Sequence, residues 1–515
     1  MQLNLAIVGA GSFGQKVANS FLEHKLPFQL YDRQVKAPFK GINVYPLENL
    51  SPQNTSKVLL AVSVEPYISE IKDELLELGF KANQIIPLVY DSAAVLLDTM
   101  LKKNKSLTVS LLKNDYQSFS ALESDFFSER EQRISHLIQG DKDNIGFYYL
   151  GRGGGFRKHT GNLPALLESQ YNVITFSDEL PYPNENAERY IYMSQETMLQ
   201  CDFPKLAITT NFYPCSPKAT TKLTMMHMAY DFLLFSKETA KGIKQAENHY
   251  IFLASQPSLE LHKRICLEEK LTNNVVLIPG GYPRHDQNLL KYEKIKNITQ
   301  SEAIIYAPTL SSLLTANDTK YTYSIIQAVT FIPMILKAFP ERTLIFRPHP
   351  EDLDLIASGI QTQRAQAFRE LLTLCENHPK CVLDNNKTNY IESFAKSAVM
   401  ISDTSAIAFS YFLTTGKPVI FFSPDQKALK DNLGHIRYIQ DREKIGYCVD
   451  NINGLIETLE KILLNNKHVP PSKDGIIFNE GHSEQYLLEN LDYILSGKKH
   501  PDWWYLQDYL KEKGE

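Results

Sequence analysis

Short apolar runs alternate with amphipathic stretches along most of this chain. Near the N-terminus, an apolar run at residues 2–8 precedes a helical periodicity at 15–23 and a second apolar run at 28–31. Further apolar runs at 58–62 and 85–89 continue the series. Strands that alternate with helices in this way are typical of parallel sheets, so the first 100 or so residues are predicted to form a small α/β unit.

A polar, charge-rich stretch separates this series from the rest of the chain. Residues 101–140 combine helical periodicity with alternating charges, which favours a connector between domains. Strand and helix patterns then resume, with apolar runs that include 145–150, 223–226 and 232–236, and a second series begins at 303. The predicted divisions are a Rossmann-like module at 1–100, a helical connector at 101–140, two α/β domains at 141–295 and 296–470, and a helical tail at 471–515.

The order of these patterns predicts the fold class. We expect an α/β protein in which a pair of doubly wound parallel-sheet domains is preceded by a small Rossmann-like domain. Ligands of such sheets bind at the carboxyl ends of the strands. The expected site is therefore the cleft between the two larger domains.

Length and composition exclude several classes of protein. A chain of 515 residues is too long for one hydrophobic core, because single cores stop growing at about 250–300 residues. The formal net charge of -5 provides no overall attraction for nucleic acid, so we expect no nucleic-acid partner. The six cysteines lack C-x-x-C spacing, and the sequence has neither a signal-peptide pattern nor a run of about 18 apolar residues. We therefore expect a cytoplasmic protein.

A glycine-rich turn follows the first predicted strand. Gly9, Gly11 and Gly14 form G-x-G-x-x-G between a strand and a helix, and Asp32 ends the second strand, where a ribose-binding carboxylate is expected. These residues are a candidate nucleotide site. The alternative is a structural or docking module, in which the glycines only allow the helix to pack closely on the strand.

Four linked segments in the second half of the chain carry polar residues next to predicted strands. They read Gly-Tyr-Pro-Arg-His-Asp at 281–286, Tyr-Ala-Pro-Thr at 306–309, Arg-Pro-His-Pro at 347–350, and Asp-Thr-Ser-Ala at 403–406 followed by Lys-Pro-Val-Ile-Phe-Phe-Ser-Pro-Asp at 417–425. The fourth segment starts a helix after a strand, and such a helix start is an anion site. The residues assigned to donor phosphates are Arg284, Arg347, Asp403, Thr404 and Ser405.

Two histidines are candidates for catalysis. His349 lies with Arg347 at the carboxyl end of a strand, where the pair can neutralise charge on a phosphate. His227 follows a strand of the first large domain and could take a proton from an acceptor hydroxyl, with Asp231 orienting it. The alternative for His227 is a partly buried side chain packed between methionines.

A glycine-rich loop at 151–155 also follows a strand of the first large domain. Arg152, Arg157 and Lys158 give this loop positive charge, so it is a candidate site for a phosphate-bearing acceptor. The loop lacks the Gly-Lys-Ser/Thr ending of a Walker A sequence, and ATP hydrolysis is therefore not supported.

The ordered segments from 281 to 425 resemble the CDP-glycerol glycerophosphotransferase family, the enzymes that prime and polymerise teichoic acids and related capsule polymers. The resemblance covers about residues 145–465. It implies a GT-B fold in which an acceptor hydroxyl attacks the β-phosphorus of CDP-glycerol and CMP is released. It also implies that His349 is a phosphate-binding or acid group and that Thr404 and Ser405 bind pyrophosphate. The family's H-G-T-P-L-K segment is matched only by His-Met-Ala-Tyr at 227–230.

Three functions from these observations remain open. The first is transfer of a phosphopolyol from a CDP-activated polyol to a hydroxyl of a cell-surface glycan or lipid-linked acceptor. The second is a glycosyltransferase that binds the pyrophosphate of a nucleotide sugar at the same helix start. The third is a non-catalytic scaffold that binds nucleotide sugars.

The cofactor and location predictions follow from the same residues. The nucleotide-activated donor is a substrate, no cofactor is required, and no metal ligand pattern such as D-x-D is present. Trp503, Trp504 and Tyr505 could contact a membrane interface at the inner face of the plasma membrane, although packing of the tail against the protein is preferred.

Overall fold

The computed structural model divides into two compact units. The first is Met1–Gln139 with Ala357–Ile360, and the second is Gly140–Ile356 with Gln361–Glu515. The structure describes residues 5–34, 38–62, 65–88, 97, 101, 105–106, 108–110, 112, 116–150, 157–177, 185–193, 198–212, 216–228, 236–310, 321–357, 361–386, 389–464 and 475–514. Each unit is described separately below.

The first unit contains one parallel sheet with helices. Its elements are β1 (Leu5–Val8), α1 (Ser12–Glu23), β2 (Gln29–Asp32), β3 (Val44–Pro46), β4 (Lys57–Leu60), α2 (Glu65–Glu77), β5 (Ile85–Pro87) and α3 (Tyr116–Leu137). The described strands are ordered β3-β2-β1-β4-β5, and all their pairings are parallel. This order is that of a Rossmann sheet around its first strand.

The glycine turn of the first unit depends on close backbone approach. Gly9 has φ +105°, and a Cβ added at Gly14 would overlap the carbonyl oxygen of Gly9. Only glycine combines a positive φ with this lack of side-chain volume at low cost. The turn therefore lets α1 pack tightly on β1, where Phe13 and Val17 join the buried core.

The second unit begins with a strand-rich domain. Its elements are β6 (Asn144–Tyr149), α4 (Leu163–Leu167), β7 (Asn172–Ser177), β8 (Tyr190–Tyr192), β9 (Leu206–Thr209), β10 (Thr221–Met225), α5 (Ser236–Ile243), β11 (Asn248–Leu253), α6 (Gln256–Glu268), β12 (Asn274–Pro279) and α7 (Pro283–Ile295). Strands β6 and β9–β12 are mostly buried along their length, as expected for a parallel sheet covered on both faces.

A second α/β series and a tail complete this unit. The series contains β13 (Ala303–Tyr306), α8 (Ile325–Ala338), β14 (Leu344–Phe346), α9 (Pro350–Ala357), α10 (Gln363–Asn377), β15 (Cys381–Leu383), α11 (Ile391–Lys396), β16 (Ser397–Ser402), α12 (Ile407–Thr415), β17 (Val419–Phe422), α13 (Gln426–Leu433), α14 (Arg437–Ile445), β18 (Gly446–Val449) and α15 (Ile452–Leu463). The tail contains α16 (Ser483–Ser496), β19 (Trp504–Tyr505) and α17 (Leu506–Lys513).

The strand orders confirm the predicted fold class. The second sheet is ordered β19-β12-β11-β10-β9-β6-β7-β8, and the third is ordered β15-β14-β13-β16-β17-β18. Every pairing in these two sheets is parallel except that of β19 with β12, where the tail adds an antiparallel edge strand. The second unit is thus a GT-B-like pair of doubly wound domains, and the first unit is the small Rossmann-like domain.

Three strands of the second sheet, β8, β11 and β19, were missed in the sequence. Strand β11 was not predicted, although His249 and Tyr250 are buried within it. A strand was predicted at 232–236, but Ser236 begins α5 and the other four residues lie outside the described part of the chain. Strand β11 begins with the polar residues of Asn-His-Tyr, so its apolar run is too short to be recognised as a strand from the sequence.

The tail is tied to the start of α7 by hydrogen bonds. Asp286 accepts from the backbone N–H groups of Gly481 and Ser483, each at 2.8 Å, and thereby caps α16. The Ser483 hydroxyl accepts from the Tyr282 N–H at 2.7 Å. Farther along the tail, Trp503 is buried and its indole N–H donates to the Tyr486 hydroxyl at 2.9 Å. The tail therefore packs against the second unit.

Replacing Asp286 with alanine should destabilise the second unit by about 2 kcal/mol, because a helix cap is lost and two N–H groups, of which that of Ser483 is buried, lose their acceptor. Urea unfolding followed by circular dichroism measures this loss. Asp431→Ala removes an exposed carboxylate from α13 and is the control, with an expected change within about 0.5 kcal/mol. Equal stability of the two variants would contradict the capping role.

Candidate active site

The polar residues singled out in the second unit follow the carboxyl ends of its strands. His227 lies after β10, Arg347 and His349 after β14, and the segment 403–405 after β16. Residues 157–160, a short 3-10 helix that follows β6, join them from the first of the two sheets. This arrangement fits the rule that ligands bind at the carboxyl edge of doubly wound sheets.

Three cationic side chains influence one another at this edge. The pKa of Lys158 is lowered to about 8, first by burial and then by the positive charges of Arg284 and Arg347. Arg284 lies in the first turn of α7 and Arg347 follows β14, so the three side chains come from distant parts of the sequence. Like charges that are crowded together and partly removed from water are unfavourable unless an anion joins them.

An aromatic ring and a carboxylate hold the two arginines. The guanidinium groups of Arg284 and Arg347 lie 5.4 and 5.3 Å from the ring centroid of Tyr390. Arg347 also forms an ion pair with Asp384 at 2.6 Å and donates to the Asn386 carbonyl oxygen at 2.9 Å. These contacts fix both guanidinium groups, while Asp384 compensates only part of the positive charge.

A second cluster consists of His159, Tyr282 and His227. The Tyr282 hydroxyl donates to the backbone carbonyl oxygen of His227 at 2.9 Å and lies 2.6 Å from Nδ1 of His159. The rings of His159 and His227 meet edge to face with centroids 5.9 Å apart. His159 follows Lys158 directly, so the histidine cluster adjoins the cation cluster.

The hydrogen bonds determine the tautomers of the two histidines. The Tyr282 hydroxyl donates its only proton to the His227 carbonyl oxygen. Nδ1 of His159 must therefore be the donor in its hydrogen bond to the Tyr282 oxygen. His227 donates from Nδ1 to the Thr210 carbonyl oxygen at 3.2 Å, so its lone pair is on Nε2 when the ring is neutral. Burial, followed by the charges of His227, Lys158 and Arg284, holds the pKa of His159 well below its usual range. His159 is therefore neutral near pH 7.

The helix start after β16 is organised by Asp403. Its buried carboxylate accepts from the N–H groups of Thr309 and Thr404, both at 2.7 Å, and from the N–H and hydroxyl of Ser324. Burial nevertheless raises the pKa of Asp403. The carboxylate is thus engaged in holding the loops around the helix start, and any part that it has in phosphate binding is indirect.

Thr404 and Ser405 sit immediately before α12. The Thr404 hydroxyl donates to the Thr322 carbonyl oxygen at 3.2 Å, and the Ser405 carbonyl oxygen accepts from the Tyr438 hydroxyl at 2.6 Å. These bonds fix the backbone that leads into the helix. Their assignment to a pyrophosphate stays a prediction.

The remaining predicted residues have different surroundings. Arg157 forms an ion pair with Glu185 and donates to the Tyr190 hydroxyl at 2.5 Å, so its guanidinium is used within its own domain. His349 is half-buried next to Pro348, two residues beyond Arg347. Arg152 and Asp231 lie outside the described residues.

Asp32 of the first unit holds the glycine turn. Its carboxylate accepts from the Ala10 N–H at 2.7 Å and from the Gln34 N–H at 2.9 Å. Gly9 and Gly14 have the backbone roles described above, and Gly11 precedes α1 without a side-chain cap. The contacts of Asp32 are those of a structural residue, and the nucleotide site around Gly9, Gly11, Gly14 and Asp32 stays a prediction.

Three contributors to the site were missed in the sequence. Tyr390 and Asp384 follow no recognisable pattern, and only the fold brings them to Arg347. Tyr282 stands inside the segment 281–286, where its position beside Arg284 could have marked it. Each acts through neighbouring side chains, which sequence spacing does not reveal.

The described residues show neither a metal-binding cluster nor a membrane-spanning helix. They contain no group of three or more histidine, cysteine, aspartate or glutamate side chains placed to hold a metal ion. None of the described helices combines the length and apolar character needed to cross a bilayer. Trp503 is buried, so the predicted membrane contact through the tail would have to involve its neighbours.

Comparison with known proteins identifies the class of enzyme. Residues 225–480 match the family described as CDP-Glycerol:Poly(glycerophosphate) glycerophosphotransferase. The matched region contains all four ordered segments together with His227. Through this region the chain belongs to that family, and it is a transferase of the glycerophosphotransferase type. A search of curated proteins yields no match.

Several solved structures are similar to parts of this chain. A histidine variant of the wall teichoic acid polymerase TagF is 15% identical, with a TM-score of 0.46 over 74% of this chain and 98% of that one. A putative UDP-N-acetylglucosamine 2-epimerase from Listeria monocytogenes is 11% identical, with a TM-score of 0.46 over 70% and 99%. UDP-GlcNAc 2-epimerase from Neisseria meningitidis is 13% identical, with a TM-score of 0.44 over 68% and 99%.

The lowered pKa of Lys158 predicts how anion binding depends on pH. A bound pyrophosphate favours the charged ammonium, so binding should take up a proton near pH 8 and weaken as the pH rises further. We expect the affinity of the wild-type protein for pyrophosphate to fall about tenfold more between pH 7 and 9.5 than that of Lys158→Gln, in which this ammonium is absent. Isothermal titration calorimetry measures both profiles.

Lys142→Gln is the matched control, because Lys142 is an exposed lysine of the same domain that donates to the Glu168 and Ser169 carbonyl oxygens. It should follow the wild-type profile. Identical pH profiles for wild type and Lys158→Gln would exclude Lys158 from the anion site.

Proposed function

We propose that this protein transfers a phosphopolyol from a CDP-activated polyol, such as CDP-glycerol, to a hydroxyl of a cell-surface glycan or lipid-linked acceptor, with release of CMP. The family membership supports the glycerophosphotransferase type of reaction. The observation that carries the proposal is the cluster of Lys158, Arg284 and Arg347 beside two histidines at the carboxyl edges of the sheets. Such a cluster suits a ligand with two adjacent phosphates.

In the proposed reaction, His227 is the general base. Because Nδ1 donates to the Thr210 carbonyl oxygen, Nε2 is the ring atom that accepts the proton of the acceptor hydroxyl. The acceptor oxygen forms a bond to the β-phosphorus as the bond from that phosphorus to the bridging oxygen breaks. The proton ends on His227, and the electrons of the broken bond leave with CMP.

The cations and the helix start stabilise the departing phosphate. As the bond to the bridging oxygen breaks, negative charge grows on CMP, and Arg284, Arg347 and Lys158 lower its energy electrostatically. The start of α12, which follows Thr404 and Ser405, supplies further positive potential through the helix dipole. His349, two residues beyond Arg347, assists as a phosphate ligand or acid.

The cellular setting is part of the same proposal. Nucleotide-activated donors are made in the cytoplasm, so we place the reaction there, with the acceptor presented at the inner face of the plasma membrane. The tail segment that includes Trp504 and Tyr505 is half-buried in the second unit and offers a limited surface for such contact.

A nucleotide-release assay tests the donor. Purified protein is incubated with CDP-glycerol, other CDP-polyols and a panel of UDP-, GDP- and CMP-sugars, and the released nucleotide is identified by mass. We expect CMP from a CDP-polyol, in amounts that increase with acceptor. Release of UDP or GDP from a sugar would instead establish glycosyl transfer, and binding without turnover of any donor would favour the scaffold function.

Replacing His349 with alanine should lower turnover at least about a hundredfold, the loss expected for one group that stabilises charge in the transition state. Turnover of the preferred donor measures the effect, and circular dichroism checks that the fold is retained. His435→Ala, at an exposed position of the same domain, should retain full activity. Wild-type turnover in the His349 variant would remove this residue from the mechanism.

A further inference from the structure

Two cysteines outside the proposed active site lie side by side. Cys375 is in the last turn of α10 and Cys381 is the first residue of β15, and their Sγ atoms are 3.1 Å apart. The turn between them is closed by the Cys381 N–H, which donates to the His378 carbonyl oxygen at 2.9 Å. A disulfide bond is about 2.05 Å long, so the sulfurs need to approach by only about 1 Å to form one.

We propose that Cys375 and Cys381 form an oxidative modification site, at which a peroxide converts the two thiols into a reversible intrachain disulfide. The site joins the end of α10 to the edge strand of the third sheet. It uses no residue of the proposed active site.

The surroundings of the two sulfurs give them different roles. Cys375 is half-buried and so can meet an oxidant, whereas Cys381 is buried. A hydrogen bond from the Cys381 thiol lowers the pKa of Cys375, which favours the nucleophilic thiolate. Cys375 is therefore the attacking sulfur and Cys381 the resolving one.

The other described cysteines are poorly suited to this chemistry. Burial raises the pKa of Cys266 to about 12 and also raises that of Cys448. The thiol of Cys201 donates to the Met193 sulfur at 3.7 Å. Among the cysteines that the structure describes, oxidation is therefore expected to select the Cys375 and Cys381 pair.

The reaction proceeds in two balanced steps. The Cys375 thiolate attacks one oxygen of hydrogen peroxide, which gives a sulfenic acid and, after protonation, one water molecule. The Cys381 thiol then displaces the hydroxyl group of the sulfenic acid, and a second water molecule leaves as the S–S bond forms. Overall, two thiols are oxidised, one peroxide is reduced to two water molecules, and a dithiol reverses the change by exchange.

The position of the pair connects it to the anion cluster. Asp384 follows β15 directly and binds Arg347, and its N–H donates to the Phe346 carbonyl oxygen at 2.8 Å. Drawing Cys381 toward α10 shifts the strand that carries Asp384 and hence the carboxylate that orients Arg347. Oxidation should therefore weaken anion binding, and the meaning of this for catalysis rests on the proposed function.

Peptide mapping tests the modification itself. Trypsin cleaves after Arg369, Lys380 and Lys387, so it separates Cys375, in peptide 370–380, from Cys381, in peptide 381–387. After peroxide treatment and alkylation of the remaining thiols, we expect these two peptides to be linked by a disulfide that dithiothreitol removes. Cys375→Ser should abolish the link and Cys448→Ser should leave it unchanged. Alkylation of both cysteines after peroxide treatment, or a Cys375 sulfinic acid without any linked pair, would overturn the proposal.

Calorimetry with pyrophosphate tests the connection to Arg347 without relying on turnover. Oxidised wild-type protein should bind at least about fivefold more weakly than reduced protein, a change in the usual range of coupling between sites. Dithiothreitol should restore the affinity, and Cys375→Ser should bind equally under both conditions. A linked peptide pair with unchanged pyrophosphate affinity would overturn the connection. Neither the peptide mapping nor the pyrophosphate calorimetry depends on donor turnover, so a negative result in the release assay would not affect their interpretation.

Discussion

Crowded positive charge at the carboxyl edges of two sheets is the constraint on which the rest of the site depends. Lys158, Arg284 and Arg347 repel one another, and the lowered pKa of Lys158 reflects burial first and this repulsion second. The fold keeps the arginines in place with one carboxylate, Asp384, and with the ring of Tyr390. Because three cationic side chains lie close together here, the site favours an anion before any ligand arrives.

The segment 281–286 shows how structural and chemical roles are divided among adjacent residues. Tyr282 and Asp286 fix the tail and the His227 loop through hydrogen bonds, and His285 bonds to Glu480 at 2.8 Å. Arg284 alone extends to the cation cluster. Lys417 similarly donates to three carbonyl oxygens around the end of α11, so its place beside the helix-start segment reflects helix capping rather than ligand binding.

The polar residues that were assigned to phosphate sites thus fall into two groups, those whose charged groups bind within the protein and those that belong to the cation cluster. In the first group, the Asp403 carboxylate binds the loops around the helix start, and the Arg157 guanidinium forms an ion pair with Glu185. Lys158, the neighbour of Arg157, belongs to the cation cluster instead. A polar side chain at a strand end can therefore bind a ligand only if other residues form the hydrogen bonds that hold the surrounding backbone in place.

The sequence by itself determined the fold class and the order of the four segments, because apolar periodicity and turn residues are local properties of the chain. It also made Arg284, Arg347 and the helix start at 403–405 candidates for a phosphate site, since strand ends and helix starts can be recognised locally. Only the tertiary structure decided that Lys158 joins the two arginines, that His159 is connected through Tyr282 to His227, and that Cys375 meets Cys381. These partners depend on how strands and helices pack side by side, and electrostatic and hydrogen-bonding contacts between remote residues leave no periodic trace in the sequence.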